Sequence, residues 1–188
     1  MVLKRVWTCD PDRPRFGTRI PSPRSSRGEG EFDSRYKVIP PLRTERDRDA
    51  LIAGVRNGTV GVICSDHQPH GADAKLAPFS EAAAGIAGLE TLLPLTLSLV
   101  NRGELSRLSA IAALTTNPAD VIGMDAGHLS IGGIADLCIV DPGREWQVEV
   151  RNMISRGRNS PFIGWTLSGR VEMTLRAGRV IYQADDLT

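Results

Sequence analysis

The chain has 188 residues, 41% hydrophobic and 24% charged, with a formal net charge of +1. That length suits one ordinary domain or parts of two, and the composition is that of a globular protein. No run of 18 or more apolar residues occurs, which excludes a transmembrane helix.

The near-neutral total hides an asymmetry. Residues 1–48 carry 12 Lys/Arg against 7 Asp/Glu, and residues 49–188 carry 11 against 15. The arginines of the basic part are scattered among Pro, Ser and Gly without interleaved aromatics, so no nucleic-acid partner is expected. Met1 to Asp10 has basic residues but no apolar stretch of secretory length. Cys9, Cys64 and Cys138 are odd in number and widely spaced, which points to reduced thiols and a cytoplasmic setting.

In chain order, residues 1–32 hold Pro11, Pro14, Pro21 and Pro23 and a Ser/Arg/Gly run, with too little apolar surface to offset the entropy of ordering. They are expected to form a disordered arm. Thr44 is a helix N-cap, with Glu45 and Asp47 in the first turn and Leu51, Ile52 and Val55 behind it. The spacing predicts a helix over Glu45–Asn57, stopped by Gly58. Val60-Gly61-Val62-Ile63-Cys64 has the continuous apolar character of a buried parallel strand. It runs directly into Ser65-Asp66-His67-Gln68-Pro69-His70. A polar cluster at a strand's C-terminal end is where βα-barrels place their chemistry.

Leu89 to Asn101 is expected to form a largely buried helix entered across Pro94 and closed by Gly103. Ser106 or Ser109 caps a second helix to about Leu114. Asn117-Pro118 then reads as an N-cap with proline in the first helical position, opening a short helix to Ile122. Beyond Gly123 strands are expected at Ala135–Asp141, Trp146–Val148, Val171–Arg176 and Val180–Gln183, the last two joined by a tight Ala177-Gly178 hairpin. Trp146 and Trp165 read as packing residues of this β region. Gly132-Gly133 reads as a turn, because it lacks the strand-GxGxxG-helix context of a nucleotide site.

The Asp66–His70 cluster is the sharpest chemical signal. A carboxylate at a strand end can bind a hard cation or take a proton from an attacking water, and a histidine four residues on can hold an anion. Equally, Asp66 can cap its own loop with both histidines as surface polar residues, and spacing alone leaves both readings open. Arg43 can pair with a substrate carboxylate or anchor the helix start beside Thr44. Lys75, two residues from Asp73, reads as a solvated surface residue, and His128 as a surface turn residue.

Several motifs occur in one order: Pro40-Pro41-Leu42-Arg43-Thr44-Glu45, Ser65-Asp66-His67-Gln68-Pro69-His70, Lys75-Leu76-Ala77-Pro78-Phe79 and Gly85-Ile86-Ala87-Gly88-Leu89-Glu90-Thr91. Asn117-Pro118-Ala119, Gly133-Ile134-Ala135-Asp136-Leu137, Ser160-Pro161-Phe162-Ile163-Gly164-Trp165 and Gly178-Arg179-Val180-Ile181-Tyr182 extend the series. Asp33 to Gln183 thereby resembles the C-terminal half of a dihydroorotase of the amidohydrolase superfamily. The resemblance implies an α/β fold: the C-terminal part of a (β/α)8 barrel over 33–125 and part of a small β-sandwich over 126–188.

It also implies a hydrolase that interconverts N-carbamoyl-L-aspartate and dihydroorotate in pyrimidine biosynthesis with one or two zinc ions. Carried over by position, Asp66 is a metal-bound carboxylate that shuttles the proton. His70 binds a substrate carboxylate, and Ala84 and Gly85 lie where backbone meets substrate. Ile39 stands where catalytic members carry a substrate-binding Asn, and Gln68 where active members carry Ala. Only His67, His70 and His128, and Lys4, Lys37 and Lys75, are present, so the family's usual binuclear ligands cannot all come from this chain. Three readings follow: a dihydroorotase-type enzyme, a non-catalytic dihydroorotase-like subunit that scaffolds aspartate carbamoyltransferase, or an inactive remnant. The resemblance also admits a homo-oligomer.

Overall fold

The computed structural model of the protein describes residues 33–184, so the arm expected over 1–32 lies outside the described residues. Among the described residues four α-helices precede a three-stranded sheet. The helices are α1 (Glu45–Arg56), α2 (Leu92–Asn101), α3 (Arg107–Leu114) and α4 (Thr116–Ile122). The strands are β1 (Leu137–Gln147), β2 (Thr166–Arg176) and β3 (Arg179–Gln183), antiparallel in the order β1-β2-β3. No helix among the described residues is long and apolar enough to cross a membrane.

α1 starts where its cap chemistry dictates. The Thr44 hydroxyl accepts the Asp47 amide at 3.3 Å, and the Asp47 carboxylate accepts the Thr44 amide at 3.1 Å. Together the two bonds close a capping box. The bonds to Thr44 also lower the pKa of the Asp47 carboxyl. At the other end Gly58 takes φ +79°, a left-handed conformation that costs glycine little. The buried face of the helix, Ile52 and Val55, enters a core with Val60, Ile63, Leu99, Leu105 and Ala113.

In the run Val60–Cys64, Val60, Val62 and Ile63 are buried as expected and Gly61 and Cys64 partly so, but it forms no strand ladder among the described residues. A parallel strand needs a neighbour on its edge, and here helices supply the partners instead. The Ile63 amide donates to Ala113, and the Asn117 carboxamide donates to the Gly61 carbonyl at 2.8 Å. That contact also corrects the reading of Asn117. It lies inside α4 rather than capping it, because its side chain is engaged with the Val60–Cys64 run. A parallel bridge does form just beyond, between His67 and Ile86.

α2 begins at Leu92, with Pro94 in its first turn, where the missing amide hydrogen has no intrahelical partner to lose. Leu99 enters the first core and Leu95 packs on a second, made of Val38, Ile86, Val148, Phe162, Trp165 and Leu167. Trp165 and Phe162 meet edge to face with ring centres 5.2 Å apart, an arrangement aromatic quadrupoles favour. Trp146 is partly buried on the same core and donates its indole N–H to the Gly169 carbonyl at 3.0 Å. Both tryptophans therefore pack as expected.

The two strands expected at Ala135–Asp141 and Trp146–Val148 are one strand with a fault. Pairing with β2 slips between Asp141 and Glu145, around Pro142 and Gly143. Proline cannot donate to a ladder, and the Asp141 side chain takes the Gly143 amide at 2.9 Å. An irregularity therefore interrupts the pairing without ending the strand. Ala177 and Gly178 turn the β2–β3 hairpin with φ +49° and +77°. These are the two left-handed positions of a type I′ turn.

Candidate active site

Residues 65–70, 83–90 and 153–159 converge at the C-terminal end of the buried Val60–Cys64 run. Asp66 holds φ +43°, a left-handed conformation uncommon for a residue with a Cβ. Backbone strain of this kind costs about 1–3 kcal/mol and persists where surroundings enforce it, often at functional sites. Gln68 sits beside Asp66, its amide nitrogen 3.4 Å from Oδ1. The half-buried His70 ring donates from Nε2 to the Ala84 carbonyl at 3.0 Å. A carbonyl can only accept, so that nitrogen carries the proton.

Gly85 is buried at φ +129°, and its amide donates to the Lys37 carbonyl at 2.9 Å. A Cβ there would lie 2.6 Å from Gln68 Cβ and 3.1 Å from His70 Nε2, so only glycine allows this approach. His70, Ala84 and Gly85 are thus brought together, with Asp66 linked to them through Gln68. Ile39 is exposed, two residues beyond Lys37 and joined to Pro40 by a cis peptide bond.

Asn159 and Glu90 also shape the site, and the sequence assigned neither a role. The buried Asn159 carboxamide accepts the His70 amide at 2.7 Å and donates to the Gln68 and Gly85 carbonyls at 3.0 and 3.1 Å. Its place directly before Ser160-Pro161 was the available signal, since asparagine in such loops bonds to backbone. The Glu90 carboxylate accepts the amides of Ile154 and Ser155 at 3.1 and 3.0 Å. His67 has a structural role, in which its Nδ1 accepts the Gly88 and Leu89 amides, each at 3.2 Å. Arg43 reaches Asp47 at 3.4 Å and supports the start of α1. His128 lies on the surface, with Nε2 2.8 Å from the Asp125 carboxylate.

Lys75 corrects its sequence reading. It is 9% exposed, and its ammonium donates to the Lys37 and Ala83 carbonyls at 3.1 and 2.6 Å. Two backbone oxygens thus take the place of water around the charge. Desolvation and the nearby Lys37 charge lower its pKa, against a smaller opposing pull from Asp33.

Among the described residues no group of three or more His, Cys, Asp or Glu side chains could hold a metal ion. A zinc site needs at least three protein ligands, and these residues do not provide them by themselves.

The chain matches the amidohydrolase family over residues 32–181. A dihydroorotase from Geobacter sp. (strain M21) is 43% identical over 153 residues, covering 81% of this chain and 36% of that protein. A dihydroorotase-like protein from Pseudomonas putida is 45% identical over 158 residues, again covering 81% of this chain and 36% of that protein. The solved structure of an L-hydantoinase (dihydropyrimidinase) from Arthrobacter aurescens superposes with a TM-score of 0.73 at 31% identity, over 78% of this chain and 34% of that one. The chain spans about a third of the length of the curated relatives it matches.

Proposed function

The chain belongs to the amidohydrolase family, and from that membership we propose that it carries the substrate-binding part of a dihydroorotase-type cyclic amidohydrolase of pyrimidine biosynthesis. In this reading 33–125 are the C-terminal part of a (β/α)8 barrel and 126–188 are part of a β-sandwich. The observation that carries it is the meeting of His70, Ala84 and Gly85 at one place, close beside a strained Asp66.

In the hydrolytic direction Asp66 takes a proton from the water that attacks the ring carbonyl of dihydroorotate. It returns that proton to the ring nitrogen as the carbon–nitrogen bond breaks, leaving N-carbamoyl-L-aspartate. His70 binds the substrate carboxylate by exchanging the Ala84 carbonyl for the anion, and the backbone at Ala84 and Gly85 contacts the ring. Asp66 is also the carboxylate this chain would offer to a zinc ion, and the described residues bring no group of three or more ligand side chains together. The odd number and wide spacing of Cys9, Cys64 and Cys138 support a cytoplasmic, reducing setting.

A second reading is favoured by Gln68, which fills the space between Asp66 and Gly85. With Ile39, whose side chain offers no hydrogen bond, the chain would be a non-catalytic dihydroorotase-like subunit that scaffolds aspartate carbamoyltransferase. The deciding experiment is dihydroorotate hydrolysis by the purified chain alongside its zinc content. Turnover with bound zinc supports the enzyme. No turnover, with stoichiometric co-purification of the carbamoyltransferase, supports the scaffold. Neither turnover nor association leaves an inactive remnant.

A further inference from the structure

Asn159 is 6% exposed, and its three side-chain hydrogen bonds go to the two loops of the candidate site. Its carbonyl oxygen takes the His70 amide, and its nitrogen serves the Gln68 and Gly85 carbonyls. The partners lie 89, 91 and 74 residues away in sequence. Two of them, His70 and Gly85, are ligand-facing in the proposed function. Their separation matters because the His70 ring must reach Ala84, immediately before Gly85, at hydrogen-bond distance. One buried carboxamide therefore fixes the histidine-bearing loop and the glycine-bearing loop as a unit. A carboxamide suits this role as no other side chain of its size does, since it presents one acceptor and two donors at a fixed angle.

We propose that Asn159 is the positioning residue of the anion subsite, acting through His70 and Gly85 to set their separation for a carboxylate-bearing ligand. The proposal rests on the reading of those two residues as ligand-facing. It predicts that affinity depends on the donor–acceptor pattern of residue 159 and not only on its volume. Asn159→Asp separates the two, because it keeps the volume and the acceptor but sets a carboxylate against two carbonyls. A merely structural role would lower stability and leave affinity unchanged in the folded variant; a positioning role would also weaken binding.

The 188-residue chain would be titrated with dihydroorotate and followed by calorimetry and two-dimensional amide NMR, at a temperature where circular dichroism shows every variant folded. Asn159→Asp should weaken binding at least about tenfold and shift the His70 and Gly85 amide signals. Asn117→Ala, which removes a comparable side-chain bond to the Gly61 carbonyl, should lower the melting temperature without either effect. Wild-type affinity in Asn159→Asp overturns the proposal. Should Asn159→Asp not fold, Asn159→Ser is judged by the same two measurements. If the wild-type chain does not bind dihydroorotate, the dihydroorotase reading fails separately. The His70 ring then decides the role of Asn159. The Nε2 proton, slow to exchange while bonded to Ala84, should become fast in the variant, and an unchanged ring signal overturns the proposal.

Discussion

The Lys75 ammonium donates to the Ala83 carbonyl at 2.6 Å, one residue before the Ala84–Gly85 backbone. Its second bond goes to the Lys37 carbonyl, which also accepts the Gly85 amide. A single buried charge thus ties the segment leading to Ile39 to the loop that faces His70. Replacing it with methionine keeps most of the volume but takes a donor from the Ala83 carbonyl and leaves the Lys37 carbonyl with the Gly85 amide. Lys75→Met should cost about 1–3 kcal/mol, read as a fall in the urea midpoint at neutral pH.

The same lysine gives a pH signature. Its folded pKa lies below the ordinary 10.5, with desolvation as the leading cause. Between the folded and unfolded values the unfolded chain binds more protons, so stability rises with pH. The wild-type chain should gain stability relative to Lys75→Met as pH climbs through that window toward 10.5. Parallel urea titrations at neutral and alkaline pH measure the difference, and a constant gap would mean that Lys75 is not desolvated in the folded state.

Asp66 combines a strained backbone with the proposed proton transfer, so stability and activity should part there. Asp66→Gly relieves the left-handed strain and should raise stability by up to about 1 kcal/mol. Asp66→Asn tolerates the same backbone and should leave stability nearly unchanged. Both should abolish any dihydroorotate hydrolysis, and a retained rate in either removes Asp66 from the mechanism.

Gly157 is buried, and a Cβ there would overlap Pro69 Cβ and lie 2.8 Å from the His70 amide nitrogen. Those neighbours are ring and backbone, which cannot swing aside. Gly157→Ala should therefore cost about 1–3 kcal/mol in thermal stability and shift the His70 amide signal. Gly61→Ala, with nothing within 4 Å of the added carbon, is the matched control and should leave that signal in place.

Local chemistry explains why so much was legible in the residues alone. The Thr44 N-cap, the glycine stop at Gly58 and the Ala177-Gly178 hairpin depend on neighbours within a few positions, and the apolar composition of Val60–Cys64 signals a buried segment without naming its partners. Asp66, His70, Ala84 and Gly85 were singled out by their order among family motifs, and the fold brings His70 to Ala84 and Gly85. What remained hidden was every pairing across long sequence separations. Lys75 looks solvated beside Asp73, yet the Lys37 and Ala83 carbonyls hold it in a buried place. A charge can leave water when distant backbone oxygens replace its hydration. Val60–Cys64 has strand composition, but a ladder is a property of two segments, and here helix residues take its hydrogen bonds. Asn159 is one polar residue among many in the sequence. Only the folded chain, by bringing His70, Gln68 and Gly85 within reach of one carboxamide, makes it the hinge pin of the site.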